Sequence, residues 1–284
     1  MSQETYVCYW IGQEPTPPSI TLDRTPAAVD VVPLAFVGIN APRGAPWTLN
    51  FDFLTQHNSA ATIQQWIGTV RSRGTKVVFS INDSNLGKIP NIPQFVDEVI
   101  KQAVAWGVDG VDLDYEPVPF VTSQTLIDFT KALRPALRTA LRREPVIIAP
   151  VWGPWAGEKQ FLHDFAQQLD YVTTMDYTSY PGYASTISSV ELYMKIIGDP
   201  GKVAIGVSCM GPPPPDGTSP YYDFTPIGDV VKLCQWEPTS GRKRGVMLYT
   251  SSYDLRVRPL SKPPPSGTNL PDGTFMATIA KYLP

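Results

Sequence analysis

The stretch Gly107-Val108-Asp109-Gly110-Val111-Asp112-Leu113-Asp114-Tyr115-Glu116-Pro117 is the most informative part of this 284-residue chain. Side chains on a strand alternate between two faces, so Asp112, Asp114 and Glu116 share one face, spaced by roughly 6.6 Å along the chain. Val111, Leu113 and Tyr115 take the other face. A solvated acidic edge suits this pattern badly. A central parallel strand, buried on both sides with its acids turned into a closed barrel, suits it well. Glu116 then stands at the C-terminal mouth, Asp114 one layer down and Asp112 deeper. Pro117 stops the strand.

Working outward, seven further apolar, β-rich runs occur at 6–11, 31–39, 76–81, 146–151, 171–175, 203–207 and 245–249. With 110–114 they make eight strands. Helical patterns fill most of the gaps. Segment 60–73 carries Ile63, Ile67 and Val70 on one stripe and stops at Gly74. Segment 93–106 stops at Gly107. Segment 124–142 starts from Ser123 as N-cap, carries an apolar stripe from Leu126 to Leu141, and contains Pro135, which predicts a kink. Segment 186–197 stops at Gly198, Thr225-Pro226 reads as an N-cap with Pro at the first helical position, and 274–283 closes the chain. Only the interval 40–57 opens a strand-to-helix gap with a long non-helical piece. Eight strands alternating with helices predict an α/β fold, a (β/α)8 barrel occupying residues 1–284 as one domain. A doubly wound open sheet would want a glycine-rich turn after its first strand, and Trp10-Ile11-Gly12-Gln13 is not one.

Three carboxylates stacked inside a barrel cannot all ionise cheaply, because burial and like charge raise at least one pKa. A neutral carboxylic acid at the mouth is what general acid catalysis requires. A Mg²⁺ or Ca²⁺ ion is the other way to stabilise three acids. The only histidines, His57 and His163, are far from the run in sequence, and the favoured reading needs neither metal nor cofactor.

Asp109-x-x-Asp112-x-Asp114-x-Glu116 resembles the DxxDxDxE signature of glycoside hydrolase family 18, which includes chitinases and endo-β-N-acetylglucosaminidases. The likeness extends along the chain. The segment from Tyr6 to Trp10 resembles the family's first strand. Ser80-Ile81-Asn82-Asp83 stands where the family reads SxGG. Met175-Asp176-Tyr177-Thr178 resembles its M-x-Y-D with Thr178 in place of the acid. Tyr249 closes strand eight, where chitinases commonly have Trp. No stretch between strand seven and its helix is long enough for the small α+β domain of larger chitinases.

The resemblance implies a substrate-assisted reaction, for which the usual second enzymatic carboxylate is not needed. None is evident at another strand end. Glu116 is then the proton donor to the leaving oxygen and afterwards the base toward water. Asp114 orients the substrate's 2-acetamido group, Asp112 holds and tunes Asp114, and Tyr177 donates to the attacking carbonyl oxygen. Tyr249 forms the floor under the sugar. Asp109, Ser80, Asn82, Met175 and Asp176 join the expected substrate-binding set.

Aromatics add to this set. Trp152 and Trp155 follow strand five, Tyr180 and Tyr183 strand six, Tyr221 and Tyr222 strand seven, and Tyr253 strand eight. Placed at the mouth, they make a stacking surface for sugar C–H faces. Trp66 and Trp106 lie in helical segments and read as core. Two proline-rich runs, 211–217 and 262–267, read as rigid loop walls.

Composition bounds the rest. Hydrophobic residues are 43% and charged residues 17%, which excludes a disordered chain. A net charge of -3 favours neither nucleic acid nor an anionic membrane, and no apolar run reaches the ~18 residues of a membrane span. Cys8, Cys209 and Cys234 match no metal cluster and read as buried thiols. The opening MSQETYVCYW has no leader character, so the expectation is a cytoplasmic protein unless a signal was removed, in which case an extracellular one. The partner expected is a carbohydrate containing N-acetylglucosamine, bound by a monomer. Three functions follow from the resemblance: chitinase-like hydrolysis of β-1,4 links, cleavage of the chitobiose core of N-glycans, or lectin-like binding without catalysis. Glu116 argues against the last.

Overall fold

The computed structural model describes residues 4–13, 21–178, 180–210, 223–254 and 273–284. Its eight barrel strands are β1 (Thr5–Cys8, continued by Trp10–Ile11), β2 (Val31–Asn40), β3 (Lys76–Asn82), β4 (Gly110–Asp114), β5 (Val146–Val151), β6 (Tyr171–Thr174), β7 (Val203–Ser208) and β8 (Gly245–Tyr249). Each pairs in parallel with the next, and β8 returns to β1 with Thr5 opposite Gly245 and Cys8 opposite Leu248. The ring therefore has no free edge.

The strands carry two apolar faces because both are covered. The inner face holds Val7, Tyr9, Ile11, Val78, Ile148, Tyr171 and Met247 in one cluster. The outer face, with Tyr6, Val32, Phe79, Leu113 and Val172, packs under the helices. Gly206 on β7 is needed where it stands: a Cβ there would meet the Thr174 carbonyl oxygen and crowd the Tyr177 ring.

Helices α1 (Ala60–Arg71), α2 (Ile92–Trp106), α3 (Gln124–Leu141), α4 (Lys159–Ala166), α5 (Tyr183–Ile197), α6 (Ile227–Gln235) and α7 (Thr274–Tyr282) cover the ring. Ser59, Asn91 and Ser123 cap α1, α2 and α3 with side-chain oxygens that accept backbone N–H groups. Gly107 and Gly198 close α2 and α5 in the left-handed conformation. Helix α3 runs continuously through Pro135. Helix α6 begins at Ile227, one residue later than the Thr225-Pro226 pair suggests. Helix α4 is not evident in the sequence; its eight residues are too few for a periodic pattern to stand out, though Phe161, Leu162 and Phe165 are buried. Within 40–57, Thr48–Asn50 folds back antiparallel on β2. Among the described residues, β1 and β2 are linked by a single 3-10 turn, Leu22–Arg24, rather than a helix. No described helix is long and apolar enough to cross a membrane.

Candidate active site

The acids of β4 divide between the two ends of the barrel. Asp109 precedes the strand and lies at its N-terminal end. It is buried there between the guanidinium groups of Arg71 and Arg143, each at 2.9 Å, and accepts from the Val77 backbone N–H at 3.0 Å. This overturns its expected contact with substrate: every group on it belongs to the chain, and the mouth is at the other end of β4. Its signature position marks a structural ion pair.

Asp112, Asp114 and Glu116 rise toward the mouth as the alternation requires. Asp112 is fully buried, and its Oδ2 accepts from Ser80 Oγ at 2.7 Å and Tyr9 Oη at 2.8 Å. Burial pushes its carboxyl up to about 7, against the lowering effect of those hydrogen bonds. Asp114 is also buried, and its Oδ2 accepts from Asn82 Nδ2 at 2.7 Å. Burial, then the charges of Glu116 and Asp112, hold its carboxyl well above the usual range, with the Asn82 bond opposing. The same Asn82 Nδ2 donates to Glu116 Oε1 at 3.3 Å. Asn82 faces Asp114 across the β3–β4 register, so one amide group tethers two of the acids. The acid forms that the crowding favours therefore belong to Asp112 and Asp114, beneath the mouth, while Glu116 is exposed.

Glu116 and Asp114 open into a pocket lined also by Tyr9, Phe36, Pro150, Met175, Tyr177, Thr178, Asp223 and Tyr249. Tyr177 and Tyr249 stack at 5.8 Å with planes 5° apart, and Tyr9 meets Tyr249 edge-on at 5.7 Å. Burial raises the phenols of Tyr9, Tyr177 and Tyr249, so they are hydroxyl donors rather than phenolates. Among the described residues, no lysine, arginine or histidine lines this pocket. Among the described residues, no group of three or more His, Cys, Asp or Glu side chains is arranged to hold a metal ion.

Other expected substrate contacts lie elsewhere. Trp155 is fully buried, stacked on Phe161 and Phe165, because the turn Gly153–Gly157 folds its ring under α4. Trp152 packs partly buried against the outer core and is not a lining residue. Tyr180 donates to Asp229 Oδ2 at 3.2 Å, away from the acids. Asp176 is turned from the pocket as its alternation with Tyr177 requires, and accepts from Ser189 Oγ at 2.6 Å. Ser80 supports Asp112 from the opposite position on β3 and does not line the pocket. Tyr221, Tyr222 and both proline-rich runs lie outside the described residues. All three cysteines are buried and free.

Four lining residues escape a reading of the sequence. Tyr9 is recoverable from alternation, since Val7, Tyr9 and Ile11 share the inner face of β1. Phe36 follows a register irregularity between Ala35 and Val37, which defeats strict alternation. Pro150 sits in an apolar strand with nothing to set it apart. Asp223 is not at a strand end but in the segment between β7 and α6, and nothing in its local sequence announces it.

Comparisons with known proteins identify the family and the fold. The family model of the Glycosyl hydrolases family 18 matches residues 5–249. No curated protein sequence matches the chain. Among solved structures, a GH18 chitinase from Pseudoalteromonas aurantia is 19% identical with a TM-score of 0.69, covering 98% of this chain and 100% of that one. A mutant of the class V chitinase from Nicotiana tobaccum, in complex with NAG4, is 14% identical with a TM-score of 0.71 and 99% coverage of both. The Ostrinia furnacalis Group IV chitinase in complex with allosamidin is 14% identical with a TM-score of 0.72, covering 99% and 98%. With a (β/α)8 barrel and its signature acids in one strand, and the family match spanning β1 to β8, this chain belongs to glycosyl hydrolases family 18 and is a glycoside hydrolase.

Proposed function

We propose that the chain is a retaining, substrate-assisted hydrolase of β-1,4-linked N-acetylglucosaminides, chitinase-like in its preference. The observation that carries this reading is the placement of Glu116: exposed at the mouth, directly above a proton-retaining Asp114, in a pocket walled by tyrosine hydroxyls. The bound ligands named for two structural neighbours, NAG4 and allosamidin, support a pocket for such sugars.

In the first step the carbonyl oxygen of the substrate's own 2-acetamido group attacks the anomeric carbon. The bond to the leaving oxygen breaks, and Glu116 gives that oxygen its proton. The product is a cyclic oxazolinium ion. Asp114 accepts the acetamide N–H and holds the group in place. Tyr177 donates to the acetamide oxygen, orienting it for attack. In the second step Glu116, now a carboxylate, takes a proton from water. The water oxygen adds to the anomeric carbon from the face the leaving group vacated as the bond to the acetamide oxygen breaks, which restores the 2-acetamido group and retains the configuration. Tyr249, stacked on Tyr177, presents its ring to the sugar.

Product analysis tests the substrate. The tetramer of N-acetylglucosamine and a high-mannose glycopeptide are offered side by side. The proposal expects shorter β-1,4 oligomers from the tetramer and an intact glycopeptide. Release of glycan from the glycopeptide, with the tetramer untouched, assigns the chain to N-glycan cores instead.

A further inference from the structure

Asp223 is a pocket carboxylate outside the β4 run. It reaches the pocket from the segment between β7 and α6, three strands round an eight-strand ring from β4. Its wall is therefore not the wall that carries Glu116. Its position is fixed from several sides. Its backbone bridges Thr178 in antiparallel fashion, and the neighbouring Phe224 bridges Cys209. Ser208 Oγ, at the end of β7, donates to its carbonyl oxygen at 2.8 Å. Thr225, two residues on, donates its N–H to the Ser208 carbonyl at 2.8 Å and accepts from Ser208 N–H at 3.2 Å. A half-buried acid held this firmly is preorganised rather than loosely attached to a loop.

What it can bind follows from its chemistry. Burial raises the pKa of its carboxyl, and the neighbouring Thr178 hydroxyl opposes that rise. A carboxylate offers about four acceptor sites, so most of its capacity is unspent. Among the described residues, no cationic side chain lines the pocket to take it up. The missing partner is a neutral donor. An internal sugar of a β-1,4-linked N-acetylglucosamine chain has two free hydroxyls, at C3 and C6, once its acetamide is engaged by Asp114 and Tyr177. We propose that Asp223 is a specificity-determining residue, accepting a hydrogen bond from one of these two hydroxyls on the sugar whose anomeric bond is cleaved. This rests on the sugar reading above and narrows it: the pocket takes uncharged N-acetylhexosamines with that hydroxyl unsubstituted. A sugar carrying an acidic substituent, such as the C3 lactyl ether of N-acetylmuramic acid, would bring an anion next to Glu116 and Asp223, with no cation among the described lining residues to offset it.

The test separates binding from turnover by working in a Glu116→Gln background. Calorimetry measures the N-acetylglucosamine tetramer and its 3-deoxy and 6-deoxy forms, with Asp223 present and with Asp223→Ala or Asp223→Asn. A hydrogen bond to a charged acceptor corresponds to a loss of roughly 10- to 150-fold. One deoxy tetramer is expected to lose that much affinity with Asp223 present and no more than about twofold once Asp223→Ala is made. Asp223→Asn, similar in size and retaining one acceptor, should recover part of the loss and shows that the fold is intact. Equal losses with and without Asp223 for both analogues would overturn the assignment, as would failure of the tetramer to bind, or a glycosyl ester trapped on Asp223 in the unmodified enzyme. Coupled binding in a protein that never cleaves the tetramer would sink the hydrolase reading and leave this one standing. Cleavage without coupling would do the reverse.

Discussion

The two ends of the barrel treat buried carboxylates in opposite ways. At the N-terminal end three acids are paired with cations. Asp109 lies between Arg71 and Arg143, Asp170 meets Arg134 at 3.3 Å, and Glu4 meets a fully buried Lys243 at 2.9 Å. At the mouth, Asp114, Glu116 and Asp223 share one pocket above Asp112, and among the described residues no cation lines it. Burial without charge compensation stores protons on Asp112 and Asp114. The first end holds strands together. The second keeps acids poised at a cost to stability, which is how a site differs from a scaffold made of the same residue type.

The largest break in this comparison should come from Glu116→Gln. The amide matches the acid in size but has no proton to deliver, so hydrolysis should fall by about 10²- to 10⁴-fold with the fold unchanged. Near-normal turnover of the tetramer would remove Glu116 from the role of acid.

Asp112 offers a smaller effect, read in stability. Its carboxyl sits at about 7 when folded, against about 3.9 when unfolded. The folded chain therefore keeps a proton that the unfolded chain releases, so this contribution is fully present below about pH 4 and is lost as pH rises to about 7. Three units correspond to at most about 4 kcal/mol, shared with Asp114 because the two titrate together. Asp112→Asn should flatten the decline, gaining stability relative to the native chain between pH 5 and pH 8. Parallel urea midpoints for both proteins across that range would contradict it.

Asp109→Asn probes the other end. Removing the charge leaves two half-buried guanidinium groups facing each other, and about 2–3 kcal/mol of stability should be lost, somewhat below the usual cost of breaking a fully buried pair because Arg71 and Arg143 still reach water. Turnover per folded molecule should stay within about twofold. A large drop in turnover at unchanged stability would return Asp109 to the site.

Sequence reading recovers what is local. The strands at 110–114, 146–151 and 245–249 match residue for residue, because buried parallel strands are short apolar runs with sharp ends. The vertical order of Asp112, Asp114 and Glu116 follows from a period of two. What local patterns miss is set by closure of the ring. Asp223 meets Glu116 only because β7 and β4 face across one barrel. Chain direction puts Asp109 at the end away from the mouth, but not the two arginines that hold it there. Position after a strand places Trp155 at the mouth, yet a tight turn carries its ring into a cluster with Phe161 and Phe165.

The central claim is that the substrate supplies its own nucleophile while the mouth acids move the proton. Incubating the native enzyme with the N-acetylglucosamine tetramer and with its fully deacetylated counterpart tests this most directly, with anomers followed by NMR and the protein by intact mass. The account predicts cleavage of the acetylated tetramer alone, with β-anomeric products formed first and no mass added to the protein. Efficient cleavage of the deacetylated chain, or a glycosyl adduct on any carboxylate including Asp223, would contradict it.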